Sequence, residues 1–307
     1  MKRSLLLFLM VCSFSITQAC DICSASSRIR PNDFKHTIGL HYNQRLLSGE
    51  IPSGLKHLGH LNGLYSTDLL EESFNTIELR ARYRLSNRLA LFGIMPYKAN
   101  VRTQNGDVRE LSSGIGDPIG FVEYRPFLPK SENTIKFMTN LRAGVKFPLG
   151  NTTARYQNEL LDYDFQPGSG SYDFLLGSES YIGTENLGLV LSQLYKRNTA
   201  NLSEFKFGDS YMALAMVAYR WNKDQFSFSI SSGIQHEKQW MDEEGEKIYE
   251  GTERTINSAV LRADFTFGNI EVYGMYAAPV NQRIESLIIL PSKHSVQVGL
   301  NYLLKTK

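Results

Sequence analysis

Beyond residue 19 the chain has no run of 18 apolar residues, so no membrane-spanning helix is expected. Cysteine is scarce, with three in 307 residues: Cys12, Cys20 and Cys23. There is no G-x-S-x-G, no H-E-x-x-H and no phosphate loop, so catalytic residues and an enzymatic activity are not expected. A basic excess is missing too. The formal charge is +2, and without Lys2 and Arg3 the 33 basic residues become 31 against 31 acidic ones. Nothing in that balance points to nucleic acid.

The first residues carry an export signal. Lys2 and Arg3 precede the apolar run Leu5–Cys12, and Thr17-Gln18-Ala19 is a small-x-small cleavage site. Residues 1–19 are read as a signal peptide, 20–34 as a periplasmic tail and 35–304 as one β-barrel domain.

Alternation dominates the rest. In 135–147, Ile135, Phe137, Leu141, Val145 and Phe147 share one face of a strand, while Lys136, Asn140, Arg142 and Lys146 share the other. Ile77, Leu79, Ala81, Tyr83 and Leu85 likewise alternate with Glu78, Arg80, Arg82 and Arg84. Ala259, Leu261, Ala263, Phe265 and Phe267 do so with Arg262, Asp264 and Thr266. The 16 Tyr and 17 Phe suit a membrane interface, and a hydrophobic content of 42% is enough for a wall with only one apolar face.

Twelve strands are predicted near 35–47, 73–85, 88–101, 114–127, 134–148, 171–183, 187–197, 209–221, 225–237, 255–268, 270–278 and 293–304. Short links at 86–87, 128–133, 185–186, 222–224 and 268–269 alternate with long loops near 48–72, 102–113, 149–170, 198–208, 238–254 and 279–292. The fold class is therefore all-β, an antiparallel transmembrane β-barrel of about 12 strands, with both termini on the periplasmic, short-turn side of a diderm outer membrane. A soluble exported sandwich also alternates faces. Strands longer than ten residues and rows of Arg and Lys on their polar faces weigh against it.

Residues with chemistry fall into two groups. Cys20 and Cys23 form a C-x-x-C pair with three functional readings: a soft metal ion such as copper or zinc, a redox disulfide, or lipidation of Cys20. An inert disulfide is the plain alternative. His57 and His60 lie in a glycine-rich loop and are read as solvated. His41 has lumen parity, whereas His36 and His236 are read as rim residues. His294 and Ser295 are adjacent and so point to opposite faces of their strand. The second group is the lumen set Arg80, Arg82, Arg84, Glu123, Arg125, Lys136, Arg142, Lys146, Arg262 and Asp264, all on polar faces. Fixed charges of both signs select charged solutes, or pair with one another and fill a narrow barrel.

Gly114-Ile115-Gly116-Asp117-Pro118, the segment Pro167–Gly177 (Pro-Gly-Ser-Gly-Ser-Tyr-Asp-Phe-Leu-Leu-Gly) and Val296–Tyr302 resemble small outer-membrane transporters of Gram-negative bacteria, the phenol-degradation or "transporter" group. Ala19-Cys20-Asp21-Ile22-Cys23 resembles the start of a subset from Bacteroidetes-type bacteria. The resemblance implies a barrel with a transport role and a link to metal handling through a periplasmic partner. It supplies no catalytic residues. The expected function is passive passage of a small polar or charged solute. The alternative is a closed barrel, anchored in outer-membrane lipid, that binds a metal or a partner through its C-x-x-C tail.

Overall fold

In the computed structural model the described residues are 35–52, 67–128, 134–223, 225–284 and 290–304. The signal peptide, the tail with Cys20 and Cys23, and the His57/His60 loop lie outside them. In chain order the strands are β1 (His36–Pro52), β2 (Thr67–Arg84), β3 (Leu89–Gln104), β4 (Asp107–Ile115), β5 (Ile119–Phe127) and β6 (Lys136–Lys146). Next come β7 (Arg155–Tyr156), β8 (Glu159–Leu160), β9 (Asp173–Gly183), β10 (Leu187–Arg197), β11 (Phe205–Lys206) and β12 (Ser210–Lys223). The last are β13 (Phe226–Gln239), β14 (Asp242–Glu244), β15 (Lys247–Tyr249), β16 (Arg254–Phe267), β17 (Ile270–Ile284) and β18 (Ser292–Leu304).

Every pairing is antiparallel, and the main sheet closes on itself through β1–β18 and β2–β3. The result is a barrel with twelve wall positions. One position is shared by two strands. β4 pairs with the far part of β3 (Tyr97↔Ile115 to Gln104↔Asp107), and β5 pairs with its near part (Leu89↔Tyr124 to Ile94↔Ile119). Between them, Gly116-Asp117-Pro118 breaks the strand, because proline has no amide to give to the ladder.

The break is tied down by Asp117. Its carboxylate accepts from the Gly150 amide at 2.9 Å, and from the Ser169 amide and hydroxyl at 2.7 Å each. Gly150 and Gly168 cross there backbone to backbone. A side chain on Gly168 would meet the Gly150 carbonyl carbon at 2.6 Å, so only glycine fits both positions.

Alternation sets which face is wet. Ile77, Leu79 and Tyr83 are exposed outward, while Glu78, Arg80, Arg82 and Arg84 between them are buried inward. On β6, Phe137 and Leu141 face out, and Met138, Asn140 and Arg142 face in. A surface of exposed Leu, Ile, Val, Phe and Tyr on every wall is what a lipid environment requires and water would not tolerate.

One predicted loop is corrected. Residues 102–113 are the end of β3 and most of β4, joined by a two-residue Asn105-Gly106 turn with φ of 53° and 87°. That is the turn whose twist matches a hairpin. The strands bounding the loops read near 48–72 and 279–292 also run further than predicted, to Pro52, from Thr67 and to Ile284. In these places polar residues such as Glu71, Arg109 and Gln282 interrupt the apolar pattern, and alternation of hydrophobicity fades while the backbone pairing continues.

Candidate functional site: the charged interior and its mouth

Strand parity carries most of the predicted lumen residues to one place. β2, β5, β6 and β9 are neighbours around the wall except for β3, which presents Ala90, Phe92 and Ile94 inward. The apolar β3 side chains offer no competing charge, and Arg82 of β2 passes over the Phe92 ring to reach β5. Arg82 Nε lies 2.9 Å from Glu123 Oε2, and its guanidinium sits 5.2 Å above the Phe92 ring. Arg142 Nη2 lies 3.5 Å from Glu123 Oε1 and 2.9 Å from Glu179 Oε2. Arg84 and Arg125 lie close enough to act on the same Glu123 carboxylate. Arg125 also donates from Nε to Asn140 at 2.8 Å. The Arg142, Glu123 and Glu179 side chains are each 3% exposed. Charges buried this far must be paired.

The remaining predicted residues spread around the ring. Arg80 bonds Glu78 on its own strand at 2.6 Å. Arg262 bonds Asp264, also two residues on, at 2.9 Å, and lies 4.0 Å over the Tyr273 ring. Both pairs use the two-residue strand period, which puts i and i+2 on one face. Lys146 is ion-paired with Asp173 and lies 3.6 Å from Asp117, at the foot of the broken strand. Lys136 keeps the inward parity of β6 but is only half-buried, at the strand's end by the short turns.

His41 faces the lumen as its parity requires. It is bonded to Tyr273 Oη at Nδ1 and to Asn301 Oδ1 at Nε2, 2.8 Å each. His36 stacks on Tyr83 at one end of the wall, and His236 bonds Asn257.

Several partners stand outside the predicted lumen set: Glu78, which alternation had already placed on the polar face, and Asp117, Asp173, Glu179 and the pair Arg45–Glu237 at 3.6 Å. Glu78, Asp173 and Glu179 share the inward parity of their strands, and that signal was available for each. A second feature was not legible. Met138, Tyr181, Val190, Leu214, Met216, Val260 and Met275 form an apolar stretch of the interior wall.

At the long-loop end the connection 147–172 turns inward. Its short 3₁₀ turn Tyr163–Phe165 brings Phe165 to 0% exposure. The Phe165 ring meets Phe74 of β2 edge-on at 5.6 Å and lies 4.7 Å under the Arg102 guanidinium. Its carbonyl accepts from Asn100 Nδ2 at 3.3 Å. Arg102 binds Glu72 at 2.7 Å, Asp162 at 3.5 Å and Glu110. The enclosing walls push the Asp164 carboxyl above its ordinary range, Arg102 draws it back, and Asp162 raises it again. Among the described residues no cluster of three or more His, Cys, Asp or Glu is placed to hold a metal.

No protein-family model matches the chain, and no curated protein matches it by sequence. Solved structures do match. An outer membrane channel from Pseudomonas putida F1 superposes with a TM-score of 0.62 at 15% identity, over 90% of this chain and 100% of that one. The β domain of a Bordetella autotransporter matches at a TM-score of 0.42 and 11% identity, over 89% and 100%. At such identities the likeness is one of fold, and only the first is close enough to bear on it. The architecture is that of a twelve-stranded outer-membrane β-barrel.

Proposed function

We propose that the protein lies in a bacterial outer membrane, termini toward the periplasm, and passes a small polar or charged solute along its interior wall. The observation that carries this reading is the run of inward ion pairs. It begins with Arg102 at the long-loop end, continues through Lys146 and Arg142, and reaches Arg82 and Glu123 toward the short turns. Such a run offers a migrating ion successive partners in place of its water shell, each too well paired to hold it long. The superposing protein from Pseudomonas putida F1 is itself described as a channel. Liposome swelling and planar-bilayer recording test the reading. Conductance is expected, with a reversal potential that moves when Arg82 or Arg142 is changed to Gln. No swelling together with no conductance sinks it.

A second reading draws on the packing of the interior. Asn43, Arg125, Met138 and Asp173 are at most 1% exposed. A closed barrel would leave the function to the tail, with Cys20 and Cys23 holding copper or zinc for a periplasmic partner. Copper or zinc binding by the full chain, lost when both cysteines become serine, would favour that reading over passage.

A further inference from the structure

The connection 147–172 is built as an inward arm. Its base is fixed where Gly150 and Gly168 cross, under the Asp117 clamp. Its tip is held in shape by Gln166, whose side chain bonds the Ala154 amide at 2.8 Å and the Leu161 carbonyl at 2.8 Å. Phe165 latches the tip to β2 and β3. Tyr163 stacks on Phe205 at 4.3 Å, which joins the tip to the connection between β10 and β12. Asp164, between these two anchors, is accessible to solvent yet acts on both Arg102 of β3 and Arg254 of β16. Those strands stand five places apart around a ring of twelve. A water-accessible carboxylate within electrostatic reach of two nearly opposite walls lies toward the middle of the mouth.

We infer that the turn Tyr163–Phe165 forms the constriction of the barrel mouth, and that Asp164, set against Arg102 and Arg254, determines which charged solutes enter. This deepens the passage reading and rests on it. Among the described residues, the other carboxyl groups around the turn include Glu72 on β2, Glu110 on β4, Asp162 beside it, and Asp242 on β14. Among the described residues these carboxylates, with Asp164, outnumber the guanidinium groups of Arg102 and Arg254, and the constriction prefers cations once Asp164 is ionised. Because enclosure holds the Asp164 carboxyl above its usual range, the preference develops as pH rises through that higher range and fades below it.

Two measurements on the full chain in planar bilayers test this. Asp164→Asn is expected to move the reversal potential in a salt gradient toward anions and to flatten its pH dependence, and Asp164→Lys to move it further. Phe165→Ala, which removes the latch, is expected to raise conductance. Independently, Asp164→Cys in a Cys20→Ser/Cys23→Ser background is expected to react with a water-soluble charged thiol reagent, and that reaction to reduce conductance. A wild-type reversal potential in both charge variants, or an unreactive Cys at 164, overturns the constriction while passage stands. Absence of conductance in the wild type and in Phe165→Ala alike overturns passage and the constriction with it.

Discussion

The barrel interior has two unlike walls. Around β2, β5 and β6 it is lined by Arg80, Arg82, Glu123, Arg125 and Arg142, each held by a carboxylate, a guanidinium or an amide. Around β10, β12, β16 and β17 it is lined by Val190, Leu214, Met216, Val260 and Met275. Both walls are equally buried, but different physics holds each. The apolar wall gains from close packing and loses in proportion to the volume removed. The charged wall gains little over its desolvation cost as long as it is intact, and loses heavily when one partner goes. The lesson is that inward burial in a membrane barrel does not predict polarity. The outer face is apolar along most of its height, while the inner face is free to differ from strand to strand.

The difference can be broken most sharply at Arg142. Arg142→Met removes the 2.9 Å partner of Glu179 and one of the partners of Glu123. A loss of about 3–5 kcal/mol is expected, read as a lower denaturant midpoint for the heat-modifiable folded band. Met216→Ala on the apolar wall is expected to cost less, toward the lower end of about 2–5 kcal/mol, since only packing is lost. A smaller loss at Arg142 than at Met216 would mean that water screens the charged wall. Lys206→Ala is the control outside both walls. Its pair with Glu243, at 3.2 Å, is 27% and 43% exposed, so a change below about 1 kcal/mol is expected in the same measurement.

These two walls were unequally visible in the sequence. On 73–85 and 134–148 a greasy face alternates with Arg and Lys, and strands, faces and inward charges all follow from it. On β10 both faces are apolar in part: Leu187, Leu189 and Leu191 face out while Val190 and Leu194 face in. Alternation there still marks a strand, but gives no sign that the interior has changed character. Asn105-Gly106 is the opposite case, a strong local turn signal within a polar stretch where the hydrophobic pattern had nothing to say. The inward turn Tyr163–Phe165 was not legible at all. It depends on Phe74, Asn100 and Arg102, up to 91 residues away in sequence and brought beneath it only once the wall is closed.

The seam between β1 and β18 bears on how such a molecule comes into being. It pairs His36 with Leu304, near the two extremes of the described chain. Before that pairing, each partly built sheet has two unpaired edges, open to any other strand in the vicinity. Contacts this distant in sequence are slow to form. Closure therefore waits on the thirteen-residue strand Ser292–Leu304, and a chain halted short of it holds most of its hairpins but no closed interior.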